Sequence, residues 1–136
     1  MQEVCCISIP YSLLIVALTG KMTVFFKNIA HLRGKSRVCK TGEQHLCALE
    51  TGRRKFGVVD VLQTRRAPFG EIADNEIRDA GFESRDHFIH WWIEENGQRL
   101  TDDDVIGVVN FDLLLIHNNG KDLLRGHGLQ VPRVRR

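Results

Sequence analysis

Lys27 to Arg66 holds ten Lys/Arg and only three Asp/Glu, a concentration suited to contacting phosphate groups. Within it, Arg53-Arg54-Lys55 and Arg65-Arg66 flank one apolar run, with Lys27, Arg33, Lys35, Arg37 and Lys40 upstream. If that run is a strand, the two clusters sit at its ends and line a groove; the plainer alternative is solubilising loop charge. Glu71 to Asp112 is the reverse, with twelve acids and three Arg, and Leu113 onward is again basic. The whole chain carries only +2 over 136 residues, so the segregation is hidden in its net charge. A fold that separates these segments has a basic and an acidic face. The acidic segment from Asp74 to Asn96 could then meet a basic protein partner.

Other chemistry-bearing residues have weaker spacing. His87 and His90 fall three apart on an expected helix, but no Cys or His nearby completes a zinc set, so no metal is expected. Trp91 and Trp92 could stack on bases, yet they share helical spacing with Phe88, which favours a core face. Asp102-Asp103-Asp104 could hold a divalent cation or simply form a solvated turn. Cys5, Cys6, Cys39 and Cys47 form no CxxC pair, and reduced thiols of a cytoplasmic protein are expected. His45 near Cys39 and Cys47 suggests a thiol nucleophile only by proximity in sequence. No glycine-rich phosphate loop is present, and no cofactor is expected.

The elements that would position these residues can be read in order. Val4 to Ile9 is rich in β-formers; Pro10 ends it and opens a helix over Tyr11 to Thr19, stopped by Gly20. The uncharged stretch Val4 to Gly20 also resembles a signal-peptide core. Its acidic leader and the interruption at Pro10-Tyr11 favour a buried strand and helix, with no membrane span. Strands follow at Met22 to Phe26, His45 to Glu50 and Lys55 to Thr64, with Asn28 to Gly42 an irregular connection and Thr51-Gly52-Arg53 a turn. Asp74 and Ser84 are N-cap candidates for helices ending before Gly81 and at about Asn96. Val105 to Ile116 is a last strand. This order has no long alternation of strands with crossover helices and predicts an α+β chain with a mixed or antiparallel barrel and helices at its edge. One domain is expected over 4–117, and 118–136 is expected to be a basic, flexible tail.

Four strings in this order resemble the ASCH family, named for activating signal cointegrator homology. They are Ile7-Ser8-Ile9-Pro10 leading to Gly20-Lys21-Met22-Thr23-Val24-Phe25-Phe26-Lys27, then Gly57-Val58-Val59-Asp60-Val61. Next come Pro68-Phe69-Gly70-Glu71-Ile72 with Asp79-Ala80-Gly81-Phe82-Glu83-Ser84-Arg85-Asp86-His87-Phe88, and last Val108-Val109-Asn110-Phe111-Asp112-Leu113.

The resemblance implies a PUA-like barrel and a role with RNA or a modified nucleoside. Some ASCH members remove an acetyl group from modified cytidine, and others have been described as ribonucleases. The family motif is G-x-K-x-x-x-x-R, and its amidohydrolases use that Lys, a Thr three residues later and a Glu from the helical region. Gly20 matches. Met22 stands at the Lys, Phe25 at the Thr, Lys27 at the Arg and Ala80 at the Glu. The resemblance therefore implies a module that binds without an intact hydrolytic set, with Lys21, Lys27, Arg53, Arg54, Arg65 and Arg66 positioning phosphates. The rival reading is an amidohydrolase in which Lys21 and Asp79 replace the missing residues.

Overall fold

A computed structural model describes residues 5–28 and 45–133. Its elements are β1 (Cys5–Ser8), α1 (Tyr11–Leu18), β2 (Val24–Lys27), β3 (His45–Thr51), β4 (Arg54–Pro68), α2 (Asp74–Asp79), α3 (Arg85–Asn96), β5 (Val105–Ile116) and α4 (Asn118–Gly126). The strands form one mixed sheet in the order β1-β3-β4-β5-β2. Only β1 and β3 are parallel; the other neighbours are antiparallel. The chain is thus α+β, as the order of its runs implies.

The expected barrel is an open sheet among the described residues. β1 and β2 are the two edges, each four residues long, and no ladder joins them. On the helical side, Trp91 of α3 donates from its indole Nε1 to Ser12 Oγ of α1 at 3.3 Å. The sheet still curls. The register shifts once between β3 and β4, at Leu49/Glu50, and twice between β4 and β5, at Val58/Val59 and Val61/Gln63. Each irregularity bends its strand and sharpens the right-handed twist.

Helix boundaries follow local chemistry. Ser84 Oγ accepts from the His87 N–H at 3.1 Å, and Gly97 ends α3 at φ 65, a left-handed conformation that glycine adopts without a Cβ penalty. α2 is capped at Ala73 rather than Asp74, because Glu76 reaches back to the Ala73 N–H at 3.1 Å. Phe88, fully buried, is the hub of the core. Phe26, Phe69, Phe82, Trp91 and Trp92 all place rings within 6 Å of it. α1 contributes Leu13, Leu14, Ala17 and Leu18 to the same core.

The start of the expected flexible tail is a helix. α4 buries Leu124 completely and packs against β4 and β5. Asn118-Asn119-Gly120 reads locally as a turn, and tertiary contact decides otherwise. Gly120 lies so close to β4 that an added Cβ would meet the Phe56 carbonyl oxygen at 2.5 Å. Among the described residues no helix is long and apolar enough to cross a membrane.

Candidate functional site

The free edge of β2, the end of β1 and the inner side of α3 enclose a pocket of about 220 Å³. Its walls are Ser8, Pro10, Phe25, Phe26, Lys27, Asn28, Trp91, Trp92, Glu95 and Asn96. The size is below the roughly 300 Å³ at which drug-sized sites begin, and suits one base or nucleoside. Trp92 is 4% exposed and packs on Phe88, whereas Trp91 is half-buried. Asn96 is held twice: its Oδ1 accepts from Asn28 Nδ2 at 2.9 Å and its Nδ2 donates to the Trp92 carbonyl at 3.1 Å. The pocket therefore combines aromatic faces, a fixed amide pair, a cation at Lys27 and a carboxylate at Glu95. Groups of these kinds can stack on a flat aromatic ligand and hydrogen-bond its edge.

The six expected phosphate contacts are divided among four places. In register, Lys27 pairs with Gly107 and Gly107 pairs with Arg66, so the two cations stand astride a residue with no side chain. Two strand spacings put their backbones roughly 10 Å apart, on one face of the sheet. Arg65 points to the opposite face and donates from Nη2 to Glu76 Oε2 of α2 at 2.6 Å. Arg53 and Arg54 occupy the β3–β4 turn and the start of β4, at the other end of that strand from Arg65 and Arg66. Lys21 is exposed in the connection from α1 to β2. Arg33, Lys35, Arg37 and Lys40 lie outside the described residues, as does Cys39.

The alternative catalytic pair is close in backbone terms only. The Thr23 N–H donates to the Asp79 carbonyl at 2.9 Å, which brings the α1–β2 connection against the end of α2. Lys21 and Asp79 are both exposed side chains. Met22, Phe25 and Ala80, which the sequence resemblance sets at the Lys, Thr and Glu positions, are 2%, 4% and 1% exposed.

The remaining candidates are engaged in structure. His87 Nδ1 accepts from the Glu83 N–H at 3.1 Å, and His90 Nδ1 bonds the Asp86 carbonyl at 2.9 Å. Among the described residues no three His, Cys, Asp or Glu side chains gather as metal ligands would. Asp104 Oδ2 accepts from the Thr101 N–H and hydroxyl, while the Asp102 and Asp104 carbonyls accept from Gly70 and Phe69. The acidic run is thus a turn pinned to the segment after β4. Cys47 corrects the expectation of four reduced thiols: it is fully buried and disulfide-bonded, which removes it as a nucleophile. Its register partner across β1 is Cys5.

No single-residue signal marks Ser8, Asn28 or Asn96 as pocket residues. Trp91, Trp92 and Lys27 are visible as separate candidates in the sequence; their convergence depends on contacts between residues more than sixty positions apart.

No family model matches the chain, and no curated protein matches it in sequence. Solved structures do match in fold. A DUF984 protein from Enterococcus faecalis superposes with a TM-score of 0.61 at 10% identity, over 90% of this chain and 82% of that one. An ASCH domain from Lactobacillus crispatus gives 0.54 at 12% identity, over 76% of this chain and 71% of that one. ASCH from Zymomonas mobilis gives 0.53 at 12% identity, over 96% of this chain and 82% of that one. The chain has the ASCH-domain fold.

Proposed function

We propose that this chain is an ASCH-domain protein that binds RNA or a modified nucleoside without an intact amidohydrolase residue set. The observation that carries the reading is the pocket between the sheet's edges, where Trp91 and Trp92 meet Lys27 and the Asn28–Asn96 amide pair. In this reading a base enters the pocket and stacks on Trp91, while Lys27 and, beyond Gly107, Arg66 meet the phosphate backbone. Arg53, Arg54 and Lys21 would extend the contact along other parts of the strand. Arg65 contributes least, because Glu76 already neutralises it. The hydrophobic burial of Met22, Phe25 and Ala80 supports the loss of hydrolysis, since no group at those positions can polarise an amide or move a proton. The reading places the protein in the cytoplasm.

The test is fluorescence anisotropy with labelled single-stranded RNA, duplex RNA and transfer RNA at low and physiological salt. Saturable binding with a steep salt slope is expected, and Trp91→Ala is expected to weaken it roughly tenfold, the scale of one lost base stack. Absence of binding at low salt overturns the reading. The hydrolase alternative is favoured by the contact of Thr23 with Asp79, which sets Lys21 and Asp79 on adjoining segments. It requires turnover of acetylcytidine that Lys21→Ala abolishes.

A further inference from the structure

A second concavity, of about 380 Å³, opens where β4 begins and β5 ends, lined by Lys55, His117, Asn118 and Asn119. The sheet register creates it. Gly57 pairs with Ile116, so the chain leaves β5 beside the start of β4, and the His117 N–H donates to the Phe56 carbonyl at 2.9 Å. Asn119 then braces the basic segment with both ends of its amide. Its Oδ1 accepts from Arg54 Nη2 at 2.9 Å, and its Nδ2 donates to the Lys55 carbonyl at 3.1 Å. The Arg54 guanidinium also rests 5.6 Å from the centre of the Phe56 ring. Close packing at Gly120 fixes the floor against β4.

The charge around this seat is mainly positive. Arg53, Arg54 and Lys55 are consecutive, and Arg54 has no carboxylate partner among the described residues. The carboxylates nearby are Glu50, opposite Lys55 in the β3 register, and Asp122, a turn further along α4. The seat lies outside the ASCH motif positions and shares no residue with the aromatic pocket.

We propose that this seat binds a phosphate group. Lys55 lines the seat, Arg54 adds charge at its rim through its bond to Asn119, and His117, Asn118 and Asn119 supply the polar wall. The inference rests on the proposed phosphate contact at Arg54 and not on base binding in the aromatic pocket. A phosphate from inorganic phosphate, a nucleotide terminus or an RNA backbone presents the same oxygens.

The experiment is a ¹H–¹⁵N NMR titration of the full chain, first with inorganic phosphate at constant ionic strength. Saturable shifts are expected at Lys55, His117, Asn118 and Asn119. Arg54→Ala combined with Lys55→Ala is expected to weaken the apparent Kd roughly tenfold or more, as loss of charge-assisted hydrogen bonds does, while Lys55→Arg retains it. If the double variant loses amide dispersion, Asn118→Asp, which adds a like charge to the seat, is expected to give the same loss. Shifts that never saturate, that spread equally over Lys21 and Arg66, or that survive these substitutions overturn the proposal. With trinucleotides, preference for a 5′-phosphate over a 5′-hydroxyl assigns a terminal phosphate, and equal binding assigns the backbone diester. Trp91→Ala leaves the phosphate titration unchanged, so failure of the base-binding reading is seen separately.

Discussion

Arg65 Nη2 lies 2.6 Å from Glu76 Oε2, which ties the far end of β4 to the first turn of α2. Glu76 is 17% exposed and its other oxygen accepts from the Ala73 N–H, so one carboxylate serves both an ion pair and a helix start. Exposed ion pairs contribute roughly 0.2–1 kcal/mol, and this half-buried pair sits at the upper end of that range. Arg65→Ala is expected to lower unfolding free energy by about 1 kcal/mol in urea titrations. Glu76→Gln in the same cycle reads the coupling. In RNA titrations Arg65→Ala should change the salt slope less than Arg66→Ala, because its charge is already compensated.

Phe88 is fully buried and touches five aromatic rings, so its truncation leaves a large void at the centre of the core. Phe88→Ala is expected to cost roughly 3–5 kcal/mol, a large share of the roughly 5–15 kcal/mol that holds a native domain together. Trp92→Ala falls in the same class because Trp92 is 4% exposed. Trp91→Ala should cost distinctly less, since Trp91 is only half-buried and its indole bond to Ser12 is exposed. Thermal unfolding of the three variants orders them, and a Trp91→Ala loss equal to Trp92→Ala contradicts the placement.

Helix α3 is legible in the sequence because each of its signals is local. Ser84 caps it, Gly97 stops it, and Phe88 and Trp92 recur at helical spacing. Helix α4 is not, because Asn118-Asn119-Gly120 has the composition of a turn and becomes helical only against the Phe56 carbonyl. The expected barrel does not close for a related reason. Strand existence follows from alternation, whereas closure depends on whether two four-residue edges meet, and among the described residues no ladder joins them. The sites divide the same way. Residue types mark Lys27, Arg54, Trp91 and Trp92, but pairings such as Asn28 with Asn96, Arg54 with Asn119 and Arg65 with Glu76 are properties of the folded chain.

The ends of α3 give a measurable cap energy. Ser84 Oγ satisfies the His87 N–H at 3.1 Å, and Gly97 donates to the Ile93 carbonyl at 2.8 Å from a left-handed conformation. Ser84→Ala is expected to cost about 1 kcal/mol, and Gly97→Ala about the same through backbone strain. Space does not limit Gly97, where an added Cβ meets nothing within 4 Å. Its cost therefore isolates conformation from packing, and denaturant midpoints with unchanged slopes check both values.

Glycines at the two ends of α4 separate packing from propensity. At Gly120 a Cβ would meet the Phe56 carbonyl oxygen at 2.5 Å and Ile116 Cγ2 at 2.8 Å, with Leu18 Cδ1 at 3.3 Å behind them. The oxygen is backbone of β4 and already accepts from the His117 N–H, so it cannot withdraw without breaking that bond. Gly120→Ala is expected to cost about 2 kcal/mol, although Ala is the better helix former. At Gly126 nothing lies within 4 Å, and Gly126→Ala is expected to be neutral or to stabilise by up to about 1 kcal/mol. The phosphate seat depends on the same contact: helix α4 can brace Arg54 and Lys55 only while Gly120 holds it against β4. Gly120→Ala should therefore weaken phosphate binding under conditions where the protein is still folded, and Gly126→Ala should not. Equal stability of the two variants would place α4 elsewhere than on β4.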